Sequence, residues 1–318
     1  MMESGGRIRV RLPATSANLG PGFDTAAVAL DFYLTVEAEP AAEFSIAASG
    51  RDADRCGALE DNLVIELYRT LLEREGRESR PLAIRMENEI PLGMGCGSSA
   101  AGRLAAIVLA NHFGQLGWTG DRVLAEASEL EGHPDNAAAC WLGGFVASGT
   151  LGGGVQVAHV PAPDDWRAIV VLPTEPLATS TARAVLPAIY ARPDVVTNLQ
   201  AVAMLGLAFA QGRGDLLKVA MTDRVHQPYR LAICPLLPTL LPLAGQRGIL
   251  GVALSGAGPA VLAIVENEAA AESAALAIHA VLEGVQRPEL LVCRFQGEGT
   301  CVVELARTST EKPHCSEF

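Results

Sequence analysis

Residues 91–101 read Pro-Leu-Gly-Met-Gly-Cys-Gly-Ser-Ser-Ala-Ala, and this stretch decides how the rest of the chain is interpreted. Glycine alternates with larger residues, two hydroxyl residues follow, and a helix rich in small residues is predicted over 98–113. Glycine permits positive φ angles and lets a ligand approach the backbone closely. The first turn of a helix adds free N–H groups and the positive end of its dipole. The stretch therefore predicts an anion cradle made of backbone. The structural alternative is a tight strand-to-helix turn with Ser98 as the N-cap.

The composition excludes several classes of function. The chain has 318 residues, 24 basic and 36 acidic side chains, a formal net charge of -12 and 49% hydrophobic residues. Such an acidic chain is not built to lie along nucleic acid or anionic lipid. The only lysines are Lys218 and Lys312, and no Gly-Lys-Ser/Thr tripeptide occurs, so a Walker A loop is absent. The seven cysteines form no C-x-x-C pair, which indicates reduced thiols in a cytoplasmic protein rather than a zinc site.

Hydrophobic periodicity predicts an α+β fold in which strands and helices interleave. Strands are predicted at residues 8–12, 32–39, 82–86, 169–172, 251–254 and 261–265, with a final strand pair at 290–295 and 300–305. Helices are predicted at residues 62–74, 98–113, 121–131, 136–141, 182–186, 198–211, 215–221 and 268–283. A segment rich in Pro and Asp at 161–165 marks the predicted boundary between an N-terminal domain, 1–163, and a C-terminal domain, 164–306. Residues 307–318 are predicted to be a flexible tail.

Three motifs occur in a fixed order along the chain, at residues 10–24, 91–101 and 251–259. Together they resemble the marks of the GHMP kinases (galacto-, homoserine, mevalonate and phosphomevalonate kinases). The resemblance implies a two-domain GHMP kinase fold, with an N-terminal ribosomal-protein-S5-like domain and a C-terminal ferredoxin-like domain. Residues 17–24, 131–136, 179–187 and 227–230 resemble the homoserine kinase branch in particular.

The resemblance implies where ATP and Mg²⁺ bind. The ATP-binding residues would be Pro91, Leu92, Gly93, Met94, Gly95, Cys96, Gly97, Ser98, Ser99, Ala100 and Ala101. A supporting glycine turn would consist of Ser255, Gly256 and Gly258. Glu131 would ligate Mg²⁺ with a hydroxyl of Ser98 or Ser99, since Mg²⁺ takes oxygen ligands and few protein carboxylates. An ordinary solvated acid at the end of a helix is the alternative for Glu131.

The resemblance also implies a site for a zwitterionic amino alcohol. The substrate-binding residues would be Asn18, Asp24, His133, Asp135, Thr179, Arg183 and Arg230, and the catalytic residues Asn18, Asn136 and Arg183. In this interpretation Arg183 and Arg230 clamp the α-carboxylate, Asp24 faces the ammonium group and Asn18 orients the reacting hydroxyl. Surface arginines, a helix-capping Asp135 and a structural His133 are the alternatives. Asn136 stands where other members have a carboxylate proposed as the base.

Three residues depart from the family pattern. Met94 and Cys96 replace small residues or leucine in the loop, and Gln227 replaces an acid.

The implied activity is ATP- and Mg²⁺-dependent phosphorylation of the side-chain hydroxyl of L-homoserine, a step of threonine biosynthesis. The alternatives are a GHMP kinase for threonine, a sugar or a mevalonate-type substrate, and a non-catalytic sensor with the same fold. A cytoplasmic location and a possible homodimer are expected, with no nucleic acid or membrane partner.

Overall fold

A computed structural model describes residues 6–284 and 287–305. The strands are β1 (Arg7–Asn18), β2 (Gly22–Pro40), β3 (Ser45–Gly50), β4 (Leu82–Asn88), β5 (Phe145–Leu151), β6 (Gly154–Val160), β7 (Arg167–Leu172), β8 (Ile249–Leu254), β9 (Val261–Val265), β10 (Glu289–Arg294) and β11 (Cys301–Leu305). The α-helices are α1 (Ala53–Cys56), α2 (Leu63–Arg74), α3 (Ser98–Gly114), α4 (Gly120–Glu131), α5 (Asp135–Leu142), α6 (Thr179–Ala184), α7 (Arg192–Gln211), α8 (Leu217–Ala220), α9 (Gln227–Arg230), α10 (Leu237–Leu240) and α11 (Glu268–Leu282). Short 3₁₀ turns cover Gly214–Leu216 and Leu241–Leu243.

The first sheet has seven strands and carries most of the N-terminal half. Its order is β11-β1-β2-β4-β3, while β5 pairs with β2 and β6 with β5. Only the β3–β4 pair is parallel among the pairs that the described residues form. Helix α3 is buried beside this sheet, and its Ala101, Leu104 and Ala105 belong to the core that the sheet covers. The sheet and α3 together fix the start of α3, where the glycine loop ends.

The second sheet has four antiparallel strands in the order β10-β7-β9-β8. Strand β7 joins two hydrophobic cores because successive side chains of a strand point to opposite faces. Ala168, Val170 and Leu172 belong to the core shared with the first sheet. Ile169 and Val171 belong to a second core beneath α10 and α11. The two sheets therefore lie on a common apolar layer, which confirms the predicted α+β class.

The N-terminal motif forms more strand than the sequence indicates. The sequence predicts strands at 8–12 and 32–39 only, yet β1 continues to Asn18 and β2 begins at Gly22. Pro13 is tolerated because the register shifts between Pro13 and Ala14, and proline in a strand is confined to such irregularities or to edges. The turn itself is short, and Asn18 and Leu19 take positive φ angles there. This extension brings residues 14–18 alongside the glycine loop.

The two predicted final strands are present as β10 and β11, but they do not pair with each other. Strand β10 pairs with β7 in the second sheet, whereas β11 pairs with β1 in the first. Both strands are edge partners of distant elements, which local sequence does not specify. The predicted division at residue 163 stays a prediction, although β11 returns to the sheet of the first half. The predicted tail, 307–318, lies outside the described residues.

Helix α7 is the one described helix with the length and hydropathy of a membrane span. One face of α7 packs into the core through Ala201, Leu205 and Phe209, which are almost fully buried. The opposite face exposes Leu199 and Leu207. A helix that packs against a protein core on one side can have the same length and hydropathy, so these two properties alone do not identify α7 as a membrane span.

The cysteines are mostly free thiols, as the sequence predicts. Cys56, Cys96, Cys140, Cys234 and Cys293 are free. Cys301 is disulfide-bonded, so the prediction of reduced thiols is wrong at that residue.

Candidate active site

A cleft of about 630 Å³ is lined by residues of both halves of the chain. The predicted site residues that line it are Asn18, Asp24, Leu92, Gly93, Gly95, Gly97, Ser98, Ser99, Ala100, Glu131, His133, Asp135, Asn136, Thr179, Arg183, Arg230, Gly256 and Gly258. The predicted residues outside its lining are Pro91, Met94, Cys96, Ala101 and Ser255. The structure thus brings together residues that lie more than 200 positions apart in the chain.

The glycine loop takes a backbone shape that only glycine adopts easily. Gly93, Gly95 and Gly97 have φ angles of +72°, +84° and +72°. Gly97 is the N-cap of α3 and Ser98 is its first residue, so the interpretation of Ser98 as the cap is wrong. A Cβ on Gly97 would lie 1.9 Å from Thr15 Oγ1, and one on Gly95 would lie 2.1 Å from Ser255 O. The loop therefore requires glycine for both its conformation and its close packing.

The carbonyl groups of the loop are bound by both halves of the chain. Thr15 N donates to Cys96 O at 3.1 Å, and Leu177 N donates to Gly93 O at 3.1 Å. Ala260 N donates to Met94 O at 3.2 Å, and Ser255 Oγ donates to Gly95 O at 2.7 Å. These four carbonyls are occupied by protein donors, and Gly95, Gly97 and Ser98 line the cleft. An anion at this point meets backbone donors and the positive end of the α3 dipole.

Met94 and Cys96, the two loop residues that differ from the family pattern, are both packing residues. The Cys96 side chain is fully buried in the core, and burial raises the pKa of its thiol to about 12. It stays a neutral packing residue and offers no thiolate to the cleft. Met94 is partly buried and packs against the same core. Neither side chain lines the cleft.

The predicted metal ligands lie together around Arg103, an arginine that belongs to none of the sequence motifs. Arg103 Nη1 contacts both Ser99 Oγ and Glu131 Oε1. Arg103 follows Ser99 by four residues on α3, so both side chains lie on one helix face. Glu131 ends α4 with its side chain 9% exposed, so the solvated-acid alternative is wrong. The spacing from Ser99 was the available signal for Arg103.

A hydrogen-bond network joins the start of α5 to the N-terminal motif. Thr15 Oγ1 donates to Asn136 Oδ1 at 2.7 Å, and Asn136 Nδ2 donates to Asp135 Oδ1 at 3.3 Å. His133 Nδ1 lies 2.6 Å from the same Asp135 oxygen. Burial lowers the pKa of His133, but the hydrogen bond and the charge of Asp135 outweigh burial and raise it above its usual value. Asp135 does not cap α5, because Pro134 occupies the N-cap position.

Asp24 and Arg183 form a bidentate ion pair at the other end of the cleft. Arg183 Nη2 lies 2.5 Å from Asp24 Oδ1, and Arg183 Nη1 lies 3.0 Å from Asp24 Oδ2. The hydrogen bonds to Asp24 raise the pKa of Arg183, and both side chains are about one-third exposed. The centroid of the Phe23 ring lies 5.3 Å from Arg183 Cζ and 5.6 Å from Arg230 Cζ, so both guanidiniums are close to this ring.

Arg230 is buried, so the alternative of a surface arginine is wrong for this residue. Its exposed fraction is 1%, and burial lowers the pKa of its guanidinium. Arg230 Nε donates to Ala182 O at 3.0 Å, and Nη1 lies 2.9 Å from His226 Nδ1. Because arginine only donates, His226 Nδ1 is the acceptor and Nε2 carries the proton. That proton is donated to Gly20 O at 2.8 Å, and burial lowers the pKa of His226, which keeps it neutral.

Asn18 and Gln227 use their side chains to join backbone segments. Asn18 Nδ2 donates to Gly256 O at 2.8 Å, and Asn18 Oδ1 accepts from Asp24 N at 3.1 Å. Gln227 Oε1 accepts from Leu254 N at 2.8 Å. A carboxylate, usual in the family at Gln227, would accept the same bond, so the departure preserves the contact.

The far end of the cleft was not predicted. It extends beyond the glycine loop to Asn62 and Leu63 at the start of α2, and to Met86 and Ile90. Asn62 is a buried N-cap whose Oδ1 accepts from Val64 N at 3.1 Å. The only sequence signal was an asparagine at the first position of the predicted helix 62–74, and an asparagine there indicates a cap and not a ligand site. The apolar side chains here, Leu63, Met86 and Ile90, are called the apolar slot below, and polar Asn62 and Asn88 belong to the same lining.

The fold and the cleft are those of a small-molecule kinase of the GHMP class. The model of the GHMP kinases N terminal domain matches residues 62–144, and the model of the GHMP kinases C terminal region matches residues 207–284. The chain is 45% identical over 268 residues to a homoserine kinase of Solibacter usitatus, covering 84% of this chain and 88% of that protein. It is 36% identical to a homoserine kinase of Desulfitobacterium hafniense, covering 93% of this chain and 100% of that protein.

Solved structures agree with these sequence matches. A crystal structure of homoserine kinase from Cytophaga hutchinsonii superposes with a TM-score of 0.80 at 26% identity, covering 95% of this chain and 98% of that one. The L. major mevalonate kinase, at 15% identity, has a TM-score of 0.64 over 93% of this chain and 95% of that one, which shows a shared fold. The chain belongs to the homoserine kinase family of the GHMP kinases.

Proposed function

We propose that this protein transfers the γ-phosphoryl group of ATP to the side-chain hydroxyl of L-homoserine, giving O-phospho-L-homoserine for threonine biosynthesis. The observation that carries the proposal is that one cleft is lined both by the glycine loop with the start of α3 and by the opposed charges of Asp24 and Arg183. The family supports the reaction, and the side chains of this chain support the substrate class. The position of each ligand in the cleft is part of the proposal.

The nucleotide would occupy the cradle and the apolar slot. The phosphates would accept hydrogen bonds from the loop around Gly95 and Gly97 and from the first turn of α3. The base would lie in the slot near Asn62, Leu63 and Met86. The Ser99 hydroxyl and the Glu131 carboxylate, with Ser98 beside them, form an all-oxygen donor set that fits Mg²⁺. Bound Mg²⁺ supplies positive charge that offsets the charge of the β- and γ-phosphates.

The amino acid would bind at the end opposite the base. Arg183 and Arg230 are both close to the Phe23 ring, and together they provide two guanidiniums for an α-carboxylate. Asp24, His133 and Asp135 have ligand atoms within 4.8 Å of one another, which provides a negative environment for an ammonium group. Homoserine binding requires Arg183 to exchange part of its Asp24 pair for the substrate carboxylate. Thr179 lies at the start of α6 on the same wall.

The chemistry would depend on positioning. Asn136 cannot accept a proton, and its amide is held by Thr15 and Asp135. Asn18 accepts a hydrogen bond from Asp24 N and so fixes the turn that carries Asp24. Through Asp24, which would bind the substrate ammonium group, Asn18 would help to place the substrate hydroxyl near the γ-phosphate. Phosphoryl transfer has a loose transition state in most analyses, so alignment and charge stabilisation supply most of the rate.

An ADP-release assay with a panel of acceptors tests the function. L-Homoserine should give the highest kcat/KM. Mevalonate and galactose lack the amino-acid charges that match the guanidiniums and the acidic cluster, and L-threonine carries a secondary hydroxyl one carbon closer to those charges. Removal of divalent cations with EDTA should abolish turnover. Preference for mevalonate or a sugar would overturn the substrate assignment, and ATP binding without any turnover would identify a sensor.

The location and oligomeric state belong to the same proposal. We expect a cytoplasmic enzyme, because ATP and free amino acids are its substrates. A homodimer stays a prediction for this chain. Sedimentation analysis of the purified protein measures the state directly, and a single monomer peak at all concentrations would exclude the dimer.

A further inference from the structure

Arg103 occupies the point at which a divalent cation would sit. One atom, Arg103 Nη1, contacts both Ser99 Oγ and Glu131 Oε1. Two oxygens that contact the same nitrogen lie within the ligand sphere of a single cation. The arginine side chain is 25% exposed and that of Glu131 is 9% exposed, so the pair is partly shielded from water. The site therefore already holds a positive charge.

A divalent cation and this guanidinium cannot share the two oxygens. Both are positive, and two like charges a few ångström apart repel strongly where water is partly excluded. The carboxylate of Glu131 would also have to exchange the arginine for the metal. Metal binding to these two ligands therefore requires the guanidinium to leave.

The phosphate groups of a nucleotide are the nearby place to which the guanidinium can move. Arg103 lies one helical turn beyond Ser99, on the face of α3 that lines the cleft. The other arginines of the lining are Arg55, Arg183 and Arg230, and the described lining contains no lysine. Arg183 pairs with Asp24, and Arg230 is held by Ala182 and His226. Guanidinium geometry suits bidentate contact with phosphate oxygens.

We propose that Arg103 is the resident cation of the Ser99–Glu131 site, which keeps divalent cations out until nucleotide binds and then moves onto the phosphates. The inference rests on the proposed binding of ATP in this cleft. It makes Arg103 a further phosphate-binding residue and makes metal entry dependent on nucleotide. Without nucleotide, the arginine neutralises Glu131. With nucleotide, the arginine and the metal both offset phosphate charge.

Mn²⁺ binding to the full chain, followed by electron paramagnetic resonance, tests the inference. Without nucleotide, Arg103→Met should bind Mn²⁺ about tenfold or more tightly than the wild type, because the competing charge is gone. Arg122→Met is the matched control, since Arg122 pairs with Glu126 on α4 outside the cleft. It should bind Mn²⁺ as the wild type does. Adding Glu131→Gln to Arg103→Met should remove the new binding and so locate it.

Nucleotide affinity provides the second measurement. Arg103→Met should bind ADP, measured by calorimetry with Mg²⁺ present, about tenfold more weakly than the wild type, and Arg122→Met should not differ. Arg103→Gln repeats both measurements if Arg103→Met fails to fold. Equal Mn²⁺ affinity in Arg103→Met and the wild type would overturn the inference. The Mn²⁺ measurement does not depend on turnover. Failure of the homoserine assay would therefore contradict the proposed function without contradicting the role of Arg103.

Discussion

Arg183 and Arg230 carry the same charge in very different surroundings. Arg183 is 38% exposed at its side chain, whereas Arg230 is 1% exposed as a residue and holds Ala182 O and His226 Nδ1. Arg183→Ala should raise the KM for homoserine with little change in Tm, since exposed ion pairs contribute about 1 kcal/mol or less. Arg230→Ala should raise KM and also lower the free energy of unfolding by about 1–3 kcal/mol, because buried acceptors lose their donor.

Kinetic assays and thermal melting of the two variants measure both effects. The KM for ATP should change little in either variant, because the glycine loop is elsewhere in the cleft. Equal losses of Tm would contradict the difference in burial.

His133 gives the site a pH dependence with a defined sign. Its pKa in the folded protein is above the usual value of about 6.5, because Asp135 outweighs burial. A raised pKa stabilises the fold fully below the unfolded value, and the contribution disappears as pH rises through the folded value. The difference in free energy of unfolding between wild type and His133→Gln should therefore be largest below about pH 6.5 and shrink above it. Urea unfolding across that range measures it, and a pH-independent difference would contradict the assignment.

Most of the residues that the sequence predicted for the site line the cleft, but no motif pointed to the arginine that contacts the proposed metal ligands. Asp24, Glu131, Arg183 and Arg230 were chosen on motifs, and all four line the cleft. Arg103 lies inside a helix between motifs, so only the folded positions of α3 and α4 show that it meets Glu131. Pairings between distant elements are set by packing, which a motif does not encode.

At the scale of elements, the glycine loop is constrained more tightly than a simple turn. Gly97 and Gly117 both have positive φ angles, but a Cβ on Gly117 would meet nothing within 4 Å. Gly117→Ala should therefore show only the conformational cost, roughly 1–2 kcal/mol. Gly97→Ala should lose more stability and also ATP affinity, because its Cβ would collide with Thr15. Urea unfolding and ATP calorimetry of the pair distinguish the effects. Equal stability losses would show that Thr15 yields without cost.

The observed bounds of an element agree with the predicted bounds where the hydrophobic residues of that helix or strand are clearly periodic. Helix α2 and strand β9 match their predicted ranges closely. Strand β3 was not predicted, and β5 and β6 were indicated only by the glycine runs at 143–144 and 152–154, which are typical of turns between strands. Their strand conformation depends on pairing with β4 and β2, which is a tertiary property.

At the scale of the whole molecule, Ser255 connects the two halves at the loop. Ser255 Oγ lies 2.7 Å from Gly95 O and 2.9 Å from Ser16 Oγ. The Ser255 hydroxyl has one proton, which it donates to Gly95 O, so it accepts a hydrogen bond from the Ser16 hydroxyl. Ser255→Ala should lower the free energy of unfolding by about 1–3 kcal/mol and weaken ATP binding, because the loop loses its anchor.

Ser148→Ala is the matched control. Ser148 is a buried serine that donates to Thr25 O within the first sheet, outside the cleft lining. It should lose stability without losing ATP affinity. Unfolding by urea and ATP calorimetry compare the two, and unchanged ATP affinity in Ser255→Ala would show that the loop keeps its shape unaided.

Strand β11 pairs with the outer edge of β1, and this edge stays unpaired during most of the synthesis of the chain. β1 is translated first and β11 after every other described strand, yet the two are neighbours in the sheet. A nascent chain therefore exposes the outer edge of β1 until translation reaches residue 305, and an open edge is a template for any passing strand. Polypeptides that stop short of β11 keep that edge open, which makes incomplete products of this gene candidates for aggregation and for capture by chaperones.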